Sequence, residues 1–232
     1  MSNRNSEEHG NENAEKTAYQ RIKDAIRNKD ILPGRKLSEA ALGKAIGMSR
    51  TPVRAALKQL EFDGYVRIVP HKGAYVTEPS INEIDNTYVV RTAMEQLAVA
   101  LLIENITDEK LDELEKCIES EQKAYESNDY DEYDMINRRY HMMIAELSEN
   151  FVLSRYVEDL LNRVDVFILL YDKNEPEVSP ASFRDHREIL KCIRAKDVQA
   201  AQKCVAEHIQ HAKSRLILDI KNQTPVKDFL SF

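Results

Sequence analysis

Three histidines lie on apolar helical stripes in the second half of this chain, and two arginines stand four apart in a short basic stretch of the first. His141 follows Tyr133, Asn137 and Tyr140 and precedes Ile144; His186 lies between Phe183 and Ile189/Leu190; His208 lies between Val205 and Ala212. An imidazole on a core-facing stripe needs partners for its nitrogens, because a buried polar atom without one is costly. Imidazoles brought together from three helices suit Zn2+, Ni2+ or Cu2+, with oxygen ligands completing the shell. Asn137, one helical turn before His141 on the same face, is such an oxygen donor. The same stripes also fit three unrelated core histidines, each bonded to backbone or to a carboxylate, and spacing alone leaves both readings open. His211, three residues beyond His208, is a rim residue or a weaker ligand. Arg91 sits in an otherwise apolar helix, where it either clamps the carboxylate of a small molecule or pairs with Glu95. Arg163 in LLNRVDVF is a second, weaker candidate for the clamp.

The basic stretch reads MSRTPVRAALK, residues 48–58. Arg50 and Arg54 share one helix face, away from Leu57 and Leu60. Each can offer a forked donor to guanine O6 and N7. Ser49 and Thr51 are placed to bond phosphate at a helix N-terminus, which attracts anions, and Lys58 lies further along the exposed face. His71 and Lys72 stand at the tip of a turn that Gly73 permits, in reach of a nucleic-acid backbone or minor groove. The chain as a whole carries a formal net charge of -7, which taken alone argues against a polyanion partner. The charge is segregated, however: residues 16–78 hold 13 Lys/Arg against 6 Asp/Glu, and residues 79–232 hold 19 against 30. Binding to DNA depends on the local field within a Debye length of about 8–10 Å, so a basic module can work beside an acidic one.

The elements that must position these residues follow from the breakers. All six glycines lie at or before Gly73, and from Asn82 to Glu175 there is neither Gly nor Pro. The spacing predicts a helix over 17–28 and a loop at LPGRKL. A short helix capped by Ser38 and ended by Gly47 comes next, then a third helix capped by Ser49, with Pro52 in its first turn and its end at Gly64. YVRIV and AYVTE read as two alternating strands. Helix, helix-turn-helix and hairpin together make a winged helix-turn-helix. Beyond it, Ser80–Glu83 has the form of a capping box, and helices fit about 81–105, 108–127, 130–148, 151–173, 180–194 and 196–222. The expected architecture is mainly α: residues 1–15 a disordered tail, 16–78 a DNA-binding winged helix-turn-helix, 79–222 an all-α antiparallel bundle for effector, metal and dimerisation, and 223–232 a C-terminal tail.

No apolar run approaches the roughly 18–20 residues of a membrane span, and the polar N-terminus is no secretory signal. Cys117, Cys192 and Cys204 are odd in number and form no C-x-x-C pair. They read as small apolar thiols in a reducing cytoplasm, with a reactive thiol as the alternative.

SRTPVRAALKQLEFDGYVRI…HKGAYV, with LPGRKLSEAALGKAIG before it, resembles the GntR family of bacterial transcription regulators over about residues 17–77. By that resemblance Arg50, Thr51 and Arg54 are the readers, with His71 and Gly73 at the wing. Ala55 stands where the family has glutamate, and Ala40 and Ala41 where arginine or glutamate is common, which alters the contacts available to the second helix. Over about 81–222, RTAME, NRRYH, SENFVL and DHREILKCIRAKDVQAA…EHI resemble the FCD domain of the FadR subfamily. In metal-binding members of that subfamily an aspartate and three histidines hold a divalent metal. The resemblance carries those roles to Asn137, His141, His186 and His208, with Asn137 the departure, and implies Zn, or Ni, as cofactor and an organic acid as effector.

The expected function is a cytoplasmic, homodimeric, sequence-specific transcription regulator, most often a repressor, bound to a pseudo-palindromic double-stranded operator. A zinc-dependent hydrolase would also use three histidines and an open position, but no H-E-x-x-H is present and the basic module would be unexplained. A helical domain with purely structural histidines is the third reading.

Overall fold

The computed structural model describes residues 2–171 and 181–221. Its elements are α1 (Ser2–Arg27), β1 (Lys36–Leu37), α2 (Glu39–Ile46), α3 (Arg50–Phe62), β2 (Val66–Val69), β3 (Gly73–Val76), α4 (Ile81–Glu104), α5 (Asp108–Glu126), α6 (Tyr130–Leu147), α7 (Phe151–Tyr171), α8 (Ala181–Arg194) and α9 (Val198–Lys221). Among the described residues, one compact unit comprises 2–80 and 165–171, and the other 81–164 and 181–221. The expected tail at 223–232, and the expected helix ends at 172–173, 180 and 222, lie outside the described residues.

The first unit is a winged helix-turn-helix. Ile22 and Ile26 of α1 pack with Val53, Ala56, Leu57 and Leu60 of α3 as its buried core. Truncating a fully buried leucine such as Leu60 to alanine costs about 2–5 kcal/mol, so this small core is what aims α3. The Ser38 hydroxyl caps α2 by accepting from the Ala41 amide. The turn into α3 is close: a Cβ on Gly43 would stand 2.6 Å from the Met48 carbonyl oxygen, so only glycine fits there. The wing is an antiparallel sheet in the order β1-β3-β2.

Three details depart from the sequence reading. The backbone is helical from Ser2 where a tail over 1–15 was expected; extending a helix from a packed segment needs no new nucleus. Lys36–Leu37, expected as loop, pairs with Tyr75 and Ala74 of β3, because Leu37 has an apolar core to enter. Ser49 occupies the N-cap position of α3 but makes no side-chain capping bond.

The second unit is all helical. Thr107 caps α5 and Asp129 caps α6 through side-chain oxygens. Helix α4 packs against α9 and α6, α5 against α6 and α8, and α8 against α9. These five helices therefore surround a common interior, to which each brings a buried polar residue. No helix among the described residues is long and apolar enough to cross a membrane.

Candidate metal centre and nucleic-acid interface

The interior of the second unit holds the three striped histidines together. His141 on α6, His186 on α8 and His208 on α9 are all buried. His208 Nε2 lies 3.2 Å from His141 Nε2 and 3.3 Å from His186 Nε2. Tyr140 stacks on His186 with ring centroids 4.0 Å apart and donates its hydroxyl to the His186 carbonyl at 3.2 Å. The neighbour of one of these histidines thus fixes the plane of another.

Each imidazole turns its other nitrogen to a carboxylate. His141 Nδ1 is 2.6 Å from Glu95 Oε2, His186 Nδ1 is 2.7 Å from Glu121 Oε2, and His208 Nδ1 is 3.4 Å from Asp185 Oδ2. Asp185 also faces His211 Nδ1 at 3.0 Å. Glu95 is held in turn by Arg91, whose Nε donates to Oε1 at 2.6 Å. Burial alone would raise the Glu95 pKa, but the Arg91 charge and His141 outweigh it and hold the carboxyl well below its usual range. Burial pushes His141 down to about 3, with Arg91 adding to the shift and Glu95 opposing it. His208 is pushed down to about 4, first by burial and then by His186, against the pull of Asp185. His141 and His208 are therefore neutral at pH 7.

These pairings fix the tautomers. A neutral imidazole whose Nδ1–H donates to a carboxylate keeps its lone pair on Nε2. The Nε2 lone pairs of His141 and His208 then face one another at 3.2 Å with no proton between them, an arrangement that repels unless a cation sits beside them. Metal–nitrogen bonds of about 2.1 Å would set coordinated nitrogens about 3.0 Å apart at a right angle and about 3.4 Å apart at the tetrahedral angle. The two observed separations fall between these limits. A carboxylate behind each imidazole is also the usual device that orients metal-binding histidines and raises their basicity. The donor set fits a divalent metal.

The other sequence candidates are placed as follows. Asn137 is half-buried, and its Nδ2 donates to Glu121 Oε1 at 3.0 Å. A carboxylate oxygen can only accept, so the amide nitrogen must face Glu121, and Oδ1 is the atom Asn137 has to offer a metal. Of the two readings of Arg91, the ion pair with Glu95 is present, with both side chains at most 4% exposed. Arg163 is exposed and lies 3.9 Å from Glu83, outside the buried cluster. Glu121 and Asp185 were not singled out from the sequence. The one available signal was an acidic residue at a buried helix position, and Glu121 has it: the residue is fully buried on α5 among Leu114, Ile118 and Ala124.

The first unit presents the basic stretch to solvent. Ser49, Arg50, Thr51, Arg54 and Lys58 are all exposed at or along α3, while Val53, Ala56, Leu57 and Leu60 face inward. Arg54 makes a forked pair with Glu39 of α2, Nε to Oε1 and Nη2 to Oε2, both at 2.8 Å. The planar guanidinium is thereby held with the fork geometry that also reads guanine, and it must leave Glu39 to do so. At the wing tip His71 adopts φ 62° and Gly73 φ 105°, and His71, Lys72 and Gly73 are exposed. Histidine tolerates the left-handed region better than most residues, so the tip can carry an imidazole outward.

Residues 14–76 match the family model described as bacterial regulatory proteins, gntR family, and residues 86–211 match that of the FCD domain. The HTH-type transcriptional regulator YdhC of Bacillus subtilis is 30% identical over 83% of this chain and 86% of its own length. The HTH-type transcriptional regulator McbR of Escherichia coli is 32% identical over 78% of this chain and 82% of its own. The solved structure of E. coli McbR/YncC superposes with a TM-score of 0.67 at 27% identity, covering 89% of this chain and 98% of that one. The transcriptional repressor RspR of E. coli is 26% identical over 78% of each chain.

Proposed function

We infer the function from one premise: this chain belongs to the GntR family of bacterial regulatory proteins, carries an FCD domain, and is a DNA-binding transcription regulator, not an enzyme. We propose that it is a cytoplasmic repressor that binds a pseudo-palindromic operator as a homodimer. Residues 16–78 read the DNA, and residues 79–222 sense a small organic acid at a divalent metal and join the two copies. The observation that carries the sensing is the convergence of the Nε2 atoms of three buried histidines, each with a carboxylate at its Nδ1.

His141, His186 and His208 would hold the metal, zinc or nickel, and Asn137 would add its amide oxygen. When bound, the metal supplies a positive charge to which a carboxylate can attach directly. All four would bind as neutral donors, and the carboxylates of Glu95, Glu121 and Asp185 each stand behind an imidazole, so that charge would be left for an anion to meet. Arg91 and Glu95 position His141, and Glu121 positions both His186 and Asn137. Arg91 is thus assigned to Glu95 and not to the effector, because a buried guanidinium keeps its counterion.

On the DNA side Arg50 and Arg54 read base edges, Ser49, Thr51 and Lys58 bond phosphates, and His71, Lys72 and Gly73 contact the backbone or minor groove. Coupling of about 1–3 kcal/mol between effector and DNA suffices for such a switch. RspR, a named repressor, supports the sign of the regulation. The experiment is selection of the operator in vitro, followed by anisotropy of that DNA with zinc-loaded protein, using citrate as the probe carboxylate. Weakening of binding about tenfold or more by citrate, absent in the chelator-treated protein, is expected. Equal weakening in both would remove the metal from effector sensing.

A further inference from the structure

Two thiols outside the histidine cluster meet across the α8–α9 hairpin. Cys192 is in the last turn of α8 and Cys204 in the second turn of α9, and their sulfurs are 3.8 Å apart. A short turn joins the helices. The Asp197 amide donates to the Cys192 carbonyl at 3.1 Å, and the Asp197 carboxylate accepts from the Ala200 amide at 3.0 Å. This turn fixes the register in which the two cysteines face each other. Both are half-buried and so in reach of small solutes. Cys117 lies on α5, with its thiol toward the Ile136 carbonyl.

We propose that Cys192 and Cys204 are a modification site: a dithiol that closes to a reversible intrachain disulfide on reaction with hydrogen peroxide. A disulfide needs its sulfurs about 2.05 Å apart with Cβ atoms about 3.5–4.5 Å apart. The observed sulfur contact of 3.8 Å leaves about 2 Å to close. Either sulfur can open the reaction as a thiolate, and the route through Cys192 is this. The Cys192 thiolate attacks one peroxide oxygen, the O–O bond breaks, and the second oxygen leaves as hydroxide, giving a sulfenic acid at Cys192. The Cys204 sulfur then attacks the Cys192 sulfur and loses its proton, and the sulfenic oxygen leaves as water. In sum two thiols are oxidised by two electrons and the peroxide is reduced to two waters. A small dithiol reverses the change.

The crosslink bears on the histidine cluster because α8 carries His186 and α9 carries His208. That consequence rests on the metal reading; the disulfide does not.

The test uses the reduced, zinc-treated full chain exposed to hydrogen peroxide, then alkylated and digested without reductant. The expected product is a peptide pair linked through Cys192 and Cys204, with Cys117 alkylated, reversed by dithiothreitol and absent in both Cys192→Ser and Cys204→Ser. Full alkylation of both cysteines, or separate sulfinic acids on them, would overturn the proposal. Zinc release to a chelator should be several-fold slower from the crosslinked chain. Unchanged release beside a mapped crosslink would overturn the coupling alone.

Discussion

The exposed face of α3 and the buried histidine cluster use charged and polar residues in opposite ways. On α3, Arg54 is 62% exposed and rests on Glu39, and a solvent-screened surface pair of this kind is easily exchanged for a base. In the interior, the polar atoms form a chain with little slack, from Arg91 through Glu95 to His141, and from Asn137 through Glu121 to His186. A reader of DNA works by giving up its resting partner. A metal site works by having its geometry settled before the ion arrives. On the proposed reading the same residue type serves in two ways: Arg54 would exchange Glu39 for a base, and Arg91 would stay with Glu95 as a support.

This contrast can be broken from its strongest side first. His208→Ala removes the nitrogen that lies closest to both other imidazoles. Metal retention should be lost, and with it the stabilisation that metal confers on the native state, about 4 kcal/mol at a thousandfold excess over Kd. Calorimetry with and without zinc checks this: the mutant's melting temperature should not respond to the ion. Arg54→Ala should weaken operator binding by about 1–3 kcal/mol, roughly 5–150-fold, with specificity relaxed at one base pair and the fold unchanged. Footprinting that stays the same would exclude Arg54 from the readers. Glu121→Gln keeps the size of the side chain but weakens the hold on His186 and Asn137. Zinc affinity should fall about 10–100-fold, as read by competition with a chromophoric chelator.

A fourth prediction concerns pH. His141 and His208 have folded-state pKa values of about 3 and about 4, below the ordinary value of 6.5. Above pH 6.5 both states are neutral and the metal-free fold has its full stability. As pH falls below 6.5 the unfolded chain binds protons that the folded chain does not, so stability declines. By pH 5 the loss is about 2 kcal/mol per histidine. Urea unfolding of chelator-treated protein between pH 7.5 and 5 measures it, and a flat midpoint would mean the imidazoles are protonated or exposed. The smallest effect is that of Lys72→Ala, which should weaken binding to all sequences alike and lower the salt slope by about one.

The two regions also differed in how far the sequence revealed them. The DNA-reading face lies within one stretch, where helix periodicity separates Arg50 and Arg54 from Val53, Leu57 and Leu60, so local rules expose it. The histidines were visible because imidazoles at three striped positions are unusual. Their carboxylates were harder. Glu95, Glu121 and Asp185 are 46, 65 and 23 residues from the histidines they hold, and only helix packing brings them together. Arg91 was open between two partners for the same reason. Strand β1 was missed because two residues carry no period, and its pairing depends on β3 being formed.

The central claim is that the buried imidazoles are a metal site. Elemental analysis of tag-free protein purified without chelator, wild type beside His208→Ala, tests it most directly. Near one zinc or nickel per chain in the wild type and none in the mutant is the expected result. No metal in either protein, after loading with zinc and dialysis, would contradict it.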